Sequence, residues 1–302
     1  MKKKLITIIG PTAIGKTKLS IHIAKMLQTE IISADSRQIF RELSVGTAVP
    51  SAKELALVPH HFIQTISITD YYNVSIFENQ VLSLLDSLFI KYDTVVLTGG
   101  SMMYVDAVCK GIDDLPSVDF EIREQVMHNF KINGIEWLRR QIKLLDPEYY
   151  KIVDLKNAKR LMKALEVCLQ TGNTYTSFRT NPSKKRNFDI IKIGLNTSRN
   201  LLFENINNRV DQMINSGLVE EVDKLRTYKH LNSLNTVGYK EIFQFFDNLH
   251  TLEKAIELIK RNTRIYAKKQ LTWFKKDTEV EWFDINQVSE IELYINFKII
   301  ES

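Results

Sequence analysis

Leu5-Ile6-Thr7-Ile8-Ile9-Gly10-Pro11-Thr12-Ala13-Ile14-Gly15-Lys16-Thr17 is a short apolar run that breaks into a Gly-rich turn and then enters a helical pattern. Gly10 to Thr17 fits G-x-x-x-x-G-K-[ST], placed between a strand and a helix as that motif requires. Each part has a physical reason. The glycines let the backbone curl so that successive N–H groups converge on one anion, and the helix N-terminus adds partial positive charge. Lys16 supplies a full cation, and Thr17 can ligate Mg²⁺ or bond a phosphate oxygen. Gly10, Pro11, Thr12, Ala13, Ile14, Gly15, Lys16 and Thr17 are therefore the expected phosphate or diphosphate site. In the helix that follows, Lys16–Leu27, the residues Leu19, Ile23 and Met26/Leu27 share one face.

Working outward, Glu30–Ser33 reads as a second strand, Val74–Ile90 as a helix with Ile76, Val81, Leu84, Leu85 and Leu88 as its apolar set, and Thr94–Thr98 as a third strand. Strands alternating with helices predict a mostly parallel sheet with right-handed crossovers. From about Gly111 helix follows helix. Ser117 reads as the N-cap of Val118–Phe130, Asn133-Gly134 breaks before Ile135–Leu145, and Asn157–Gln170 stops at Gly172. A basic loop, Arg179 to Arg186, precedes a returning strand at Asp189–Leu195. Helices resume at Asn200–Ser216 (stopped by Gly217), Leu218–Tyr228 and about Thr251 to Lys275. The expected fold is α/β: a P-loop NTPase-like parallel sheet flanked by helices, with an all-helical insertion domain. Its expected boundaries are 1–111 for the first part of the core, 112–187 for the insertion, and 188–302 for the completion of the core with its C-terminal helices.

Bulk properties bound the reading. The chain has 302 residues, 44% hydrophobic and 25% charged, as for a globular protein with a real core. No twenty-residue apolar run appears, so no membrane span is expected. The N-terminal apolar stretch is too short for a signal peptide and runs straight into the Gly-rich turn. Cys109 and Cys168 lack metal-like spacing and are expected as free thiols in a reducing cytosol. The net charge of +5 matters less than where the basic residues sit.

A P-loop NTPase normally presents a carboxylate at the end of a central strand. Thr94–Thr98 instead runs into Gly99-Gly100-Ser101, and Asp93 precedes that strand, at the wrong end of the sheet. The carboxylate at a strand's C-terminal end is Asp35, in Ser33-Ala34-Asp35-Ser36-Arg37-Gln38. That edge of a parallel sheet faces the ligand crevice. Asp35 could hold Mg²⁺, accept a proton from a nucleophile, or simply cap a helix. A nucleotide or small-molecule kinase with a helical lid fits the loop and the insertion. It leaves unexplained the missing carboxylate and the basic C-terminal helix, where Arg261, Arg264, Lys268 and Lys275 recur with Tyr266 and Trp273 interleaved. An RNA-binding module with a vestigial loop is a third reading, opposed by the intact Lys16-Thr17 pair. His60-His61 has no acidic or Cys partner at ligand spacing and reads as loop or active-site packing rather than zinc.

Taken together, Gly-Pro-Thr-x-x-Gly-Lys-Thr at 10–17, Asp35-Ser36-Arg37-Gln38-Ile39-Phe40, Gly46-Thr47-Ala48 and Pro59-His60-His61 resemble the tRNA dimethylallyltransferase family in order and spacing. So do Gly99-Gly100-Ser101, Ala164-Leu165-Glu166-Val167, Val237-Gly238-Tyr239-Lys240-Glu241, and Tyr266-Ala267-Lys268-Lys269-Gln270-Leu271-Thr272-Trp273. The resemblance spans about residues 5 to 275. It implies transfer of a dimethylallyl group from dimethylallyl diphosphate to N6 of the adenine at tRNA position 37, beside the anticodon, with release of diphosphate and assistance from Mg²⁺. It implies Asp35, Lys16 and Thr17 as the catalytic set, with Thr17 also toward the metal, and an adenine drawn out of the stack. Carried over position by position, the tRNA contacts are Asp35, Ser36, Arg37, Gln38 and Ser101 in the core. Arg123, Lys159, Arg160 and Lys163 follow in the insertion, then Gly238, Tyr239, Lys240, Lys268, Gln270 and Trp273. The sequence departs from the family pattern at Val49, where Lys is common, and at Asn205, where a basic residue is usual and Arg209 remains. Ser101 replaces Thr, and Lys163 and Lys269 replace Arg, losing the bidentate fork. A cytoplasmic monomer acting on the anticodon stem-loop is the expectation.

Overall fold

The computed structural model describes residues 2–180 and 184–301; residues 181–183 of the basic loop lie outside the described residues. In chain order the elements begin with β1 (Lys4–Ile9), α1 (Lys16–Met26), β2 (Ile31–Ser33), α2 (Ala52–Leu55), β3 (His60–His61), α3 (Val74–Lys91), β4 (Thr94–Gly99) and α4 (Met102–Lys110). Next come α5 (Phe120–Leu145), α6 (Pro147–Ile152), α7 (Ala158–Thr171) and α8 (Tyr175–Phe178). The chain finishes with β5 (Asp189–Asn196), α9 (Arg199–Asn215), α10 (Leu218–Asp223), α11 (Tyr239–Phe246), α12 (Leu252–Phe274), β6 (Val280–Asp284) and α13 (Val288–Ile300). It divides into two compact units, Met1–Cys109 with Lys185–Ser302, and Lys110–Lys184.

In the larger unit one sheet runs β3-β2-β4-β1-β5-β6, with every neighbouring pair parallel. Every residue of β1 is buried, because both faces of the sheet are covered. Ile6 and Ile8 join Leu19 and Ile23 of α1, Leu202 and Ile206 of α9, and Ile291 and Ile295 of α13. Leu5 and Ile9 point the other way, toward Phe77, Val81 and Leu85 of α3 and Val105 and Val108 of α4. The period of two thus divides one apolar run between two cores. β1 lies between β4 and β5; the chain runs from β1 outward to β2 and β3, returns to β4, and crosses to β5 and β6 on the other side. The C-terminal ends of β1, β2, β4 and β5 therefore share the edge where a parallel sheet opens to a ligand. A third core, with Leu43, Val222, Tyr239, Ile242 and Ile259, underlies α10, α11 and α12.

The smaller unit is all helix, with its own core of Val126, Leu138, Ile142, Tyr149, Leu161 and Leu165. Asp146, 1% exposed, accepts hydrogen bonds from the N–H of Tyr149 (2.9 Å) and from the N–H (2.7 Å) and hydroxyl (2.9 Å) of Thr176. That joins α6 to α8.

Several boundaries differ from the sequence reading. The residue before α5 is Asp119, not Ser117, whereas the Asn133-Gly134 break falls where expected, with Gly134 (φ 67°) non-helical between two helical stretches of α5. The helix expected over Leu218–Tyr228 stops at Asp223 and tightens into a 3₁₀ turn, Arg226–Tyr228. α4, β6 and α13 carry no strong stop or period signal and are not expected from the sequence; α11 is also absent from the sequence reading, although Tyr239, Ile242 and Phe243 share one buried face of it. β6 pairs with β5 and completes the sheet edge. Cys109 and Cys168 are free and buried.

Candidate active site

The phosphate loop joins β1 to α1. Gly15 precedes the first helical residue at φ 98°, a left-handed conformation that glycine adopts without steric cost. The Lys16 ammonium folds onto its own loop and donates to the carbonyls of Gly10 (3.1 Å) and Pro11 (2.8 Å). Burial and the nearby Arg209 cation push its pKa down to about 7, while Asp35 pulls the other way. Arg209, on the face of α9 that also carries Ile206 and Val210, is lowered by burial with Asp35 opposing. It donates to the Thr47 carbonyl at 3.3 Å.

Asp35 follows the buried Ala34 at the end of β2. Its Oδ1 accepts the N–H groups of Arg37 (2.8 Å) and Gln38 (3.2 Å), so the carboxylate does cap its own turn. Asp35 also lines two neighbouring cavities. The loop cavity, about 150 Å³, is bounded by Lys16 and Thr17 on one side and by Gln38, His60 and Gly100 on others. The outer cavity, about 320 Å³, is bounded by Ser36, Arg37, Ser101, Asn235, Gly238 and Lys240. Four residues, Thr12, Asp35, Arg209 and Tyr266, line both. They form a common wall.

Loops from distant sequence hold that wall. Glu221 sits in a nest of backbone donors: Ser44 (3.0 Å), Val45 (2.7 Å) and Gly46 (3.0 Å), with the Tyr239 hydroxyl at 2.6 Å. A side chain at Gly46 would lie 2.6 Å from the Tyr239 ring, so the Gly46-Thr47-Ala48 segment rests directly on Tyr239. Gln38 then donates to the carbonyls of Thr47 (3.2 Å) and Ala48 (3.0 Å). Ser101 Oγ accepts the Ser36 N–H at 2.8 Å. Arg37 is lowered by burial, opposed by Asp35, and donates to the Asn232 (3.1 Å) and Ser233 (2.9 Å) carbonyls.

The expected site residues fall into groups. Gly15, Lys16, Thr17, Thr12 and Ala13 meet Asp35 and Gln38 around the loop cavity, whereas Ser36, Arg37, Ser101, Gly238 and Lys240 meet around the outer one. Gly10, Pro11 and Ile14 are buried behind the loop. Two of the expected RNA contacts lie inside the protein: Tyr239 is fully buried, and Gln270 is 2% exposed and lines the loop cavity. Lys240 and Lys268 are exposed. Trp273 is 41% exposed, with its indole N–H donated to Asp106 at 2.7 Å. Arg123, Lys159, Arg160 and Lys163 belong to the smaller unit, where Lys159 and Arg160 are exposed. There Arg123 and Lys163 flank Glu166, whose pKa is raised by burial. Arg209, expected only as the remaining basic residue of its helix, Tyr266, expected as an aromatic on the basic C-terminal helix, and His60, expected as loop or active-site packing, all line the loop cavity. A lone Arg on the apolar face of α9 was the signal for the first. His60 donates its Nδ1–H to the Val58 carbonyl (2.7 Å), leaving Nε2 buried without a partner at the loop cavity. Burial lowers its pKa.

A parallel sheet opening onto a Gly-rich loop, with lysine, arginine and carboxylate converging there, defines a P-loop-type protein. Residues 38–277 match the family model described as IPP transferase. The chain is 54% identical to tRNA dimethylallyltransferase 1 of Bacteroides fragilis over 98% of its length and 99% of the relative's. It is 51% identical to the tRNA dimethylallyltransferase of Christiangramia forsetii, over 99% of both chains. The crystal structure of a tRNA isopentenylpyrophosphate transferase from Bacillus halodurans superposes with a TM-score of 0.72 at 34% identity, covering 99% of this chain and 98% of the other. A eukaryotic dimethylallyltransferase acting on tRNA shares the fold, with a TM-score of 0.81 at 22% identity over 99% of this chain and 80% of that one. The chain belongs to the IPP transferase family and is an enzyme of the transferase class. No helix among the described residues is long and apolar enough to cross a membrane.

Proposed function

We propose that this enzyme moves a dimethylallyl group from dimethylallyl diphosphate to the exocyclic N6 of the adenine at tRNA position 37. The observation that carries the reading is the common wall: Thr12, Asp35, Arg209 and Tyr266 border both a phosphate-loop cavity and a larger cavity that carries the expected RNA-facing residues. A donor and an acceptor held in two adjoining cavities meet at that wall, which converts a bimolecular encounter into an oriented one.

The donor's diphosphate lies against the N–H groups of Ala13 to Thr17, with Lys16 and Arg209 as its cations. As the allylic C–O bond breaks, both electrons leave with the diphosphate, and these fixed charges stabilise the departing group. The N6 lone pair forms the new C–N bond, and the N6 proton passes to Asp35. Oδ1 of Asp35 is held by its turn, which fixes the carboxylate's orientation at the shared wall. The adenine amine is a weak nucleophile, so removal of its proton as the bond forms is where a base helps. Extrusion of the adenine from the anticodon loop brings it into the outer cavity, with Ser36, Arg37, Ser101 and Lys240 around it.

The residues fit a hard divalent cation of the Mg²⁺ type. Thr17 would offer the ion a hydroxyl beside the diphosphate, and the His60 Nε2, buried without a hydrogen-bond partner, would be an acceptor available to its water. The ion's chemistry would be to neutralise charge on the diphosphate. No cluster of three or more His, Cys, Asp or Glu able to hold a metal exists among the described residues, which fits a metal carried largely by its substrate.

One assay tests the reading. Labelled dimethylallyl diphosphate is incubated with the enzyme and an anticodon stem-loop bearing consecutive adenines, and label appears in the RNA. Tight Mg²⁺-dependent ATP binding with no labelled RNA would replace this reading with that of a kinase.

A further inference from the structure

Gln270 lies in α12, one turn before the exposed Trp273, and is itself 2% exposed. Its carboxamide spans two loops. Oε1 accepts the Thr12 N–H at 2.8 Å, and Nε2 donates to the Gly100 carbonyl at 2.8 Å. A third contact joins it to the hydroxyl of Tyr266, which also interacts with Ser101. Gly100 leaves room for this bridge and nothing more: a Cβ there would stand 2.4 Å from Nε2 and 3.6 Å from the Lys16 ammonium. Thr12 and Tyr266 are half of the wall between the cavities.

We propose that Gln270 is a positioning residue that sets this wall. It engages the Thr12 N–H, so the donor's diphosphate is held from Ala13 onward, and it ties the phosphate loop to the strand end of β4 and to the helix carrying Lys268 and Trp273. A carboxamide suits this task because it presents one acceptor and two donors in a single plane. An apolar side chain would leave a buried N–H and a buried carbonyl unpaired, a full desolvation penalty at two points of the site. A carboxylate could accept from Thr12 but would face the Gly100 carbonyl with a second acceptor. A neutral carboxylic acid would restore both contacts: its O–H donates to Gly100 while its carbonyl accepts from Thr12. Burial favours that neutral form, while the Lys16 ammonium beside Gly100 favours the carboxylate, so the two act in opposite directions.

The proposal rests on the transfer reaction above for its substrates, and two variants test it. Gln270→Met keeps the length and removes both bonds. It should raise the donor KM and lower kcat, with kcat/KM for the donor down about 10²-fold as expected when a reacting group is misplaced by about an ångström, while stem-loop affinity stays within twofold. Gln270→Glu should be comparably impaired at pH 8 and recover toward wild type as pH falls to 6, a rise in the variant-to-wild-type ratio that loss of bulk packing would not produce. Circular dichroism checks that the variants are folded, and if Gln270→Met is not, the Gln270→Glu pH profile decides alone. Donor kinetics within twofold of wild type in both variants, or a Gln270→Glu deficit that does not vary with pH, would overturn the assignment. Inorganic diphosphate binding is followed in parallel. A wild-type protein that binds diphosphate but labels no RNA sinks the transferase reading, whereas weakened diphosphate binding in Gln270→Met alone still supports the clasp.

Discussion

The two cavities are built differently. The loop cavity has at its base eight consecutive residues, Gly10 to Thr17, whose conformation follows from two glycines and the start of α1, and it is closed by distant residues such as Gln38, His60, Gly100 and Arg209. The outer cavity is assembled from the ends of β2 and β4, the 46–47 loop, α9, the 235–240 segment and α12. Its shape depends on bonds between residues far apart in sequence, such as Glu221 to Ser44, Val45 and Gly46. A site with a locally encoded base keeps that base when distant segments drift, whereas a site assembled wholly at long range fails when any support moves. Chemistry and recognition should therefore respond differently to mutation.

The strongest way to separate them is at the shared wall. Asp35→Ala should lower turnover by about 10²- to 10⁴-fold, as for loss of a general base, while stem-loop binding measured by fluorescence anisotropy largely survives. An equal loss of RNA affinity would mean that Asp35 places the adenine rather than deprotonating it.

Lys16→Met should abolish donor turnover and yet make the ligand-free protein more stable. The folded state holds this amine at about 7, against 10.5 for an ordinary lysine. Between those values the unfolded chain binds the extra proton, so stability rises with pH across that window and the burden of the buried charge is complete below it. Thermal melts from pH 6 to 10 should show that rise in the wild-type protein and a flatter profile in Lys16→Met. Diphosphate binding above pH 7 should take up a proton, measurable as a buffer-dependent heat. Parallel profiles for both proteins would refute the assignment.

The smallest effects belong to the outer cavity and divide its supports from its surface. Tyr239→Phe removes a buried hydrogen bond to the Glu221 carboxylate and should cost about 1.5–3 kcal/mol of stability, with the salt dependence of RNA binding unchanged. Lys240→Ala combined with Lys268→Ala should leave stability alone and reduce the slope of log affinity against log salt by about 0.7 for each phosphate no longer neutralised. If Tyr239→Phe altered the salt slope instead, the buried placement of Tyr239 would be wrong.

Much of the fold was legible because its signals are local. β1, the phosphate loop, α1, α3, β4 and the helical character of residues 120–171 follow from apolar period and from glycine punctuation. Asp35 was legible because it stands at a strand end. β6 and α13 were not, since Val280–Asp284 and Val288–Ile300 have neither clean alternation nor flanking stop signals, and the sheet edge they join is defined only by β5. Tyr239 and Gln270 lie deeper than their basic surroundings in the sequence suggest, for a related reason. An aromatic and an amide within a basic segment suggest an RNA surface, and only packing reveals which way each side chain points.

By itself the sequence determined the phosphate loop, the alternation that builds a parallel sheet, and the helical second unit, because backbone conformation and burial period are set by neighbours a few residues away. Tertiary structure alone decided that Arg209 and Tyr266 share a wall with Asp35, that Glu221 carries the 44–46 loop, and that Gln270 reaches the donor loop. These pairings join residues separated by tens to hundreds of positions, and no local preference specifies them. They exist because burying the helices against the sheet leaves each of these polar groups in need of a partner, and the fold supplies one.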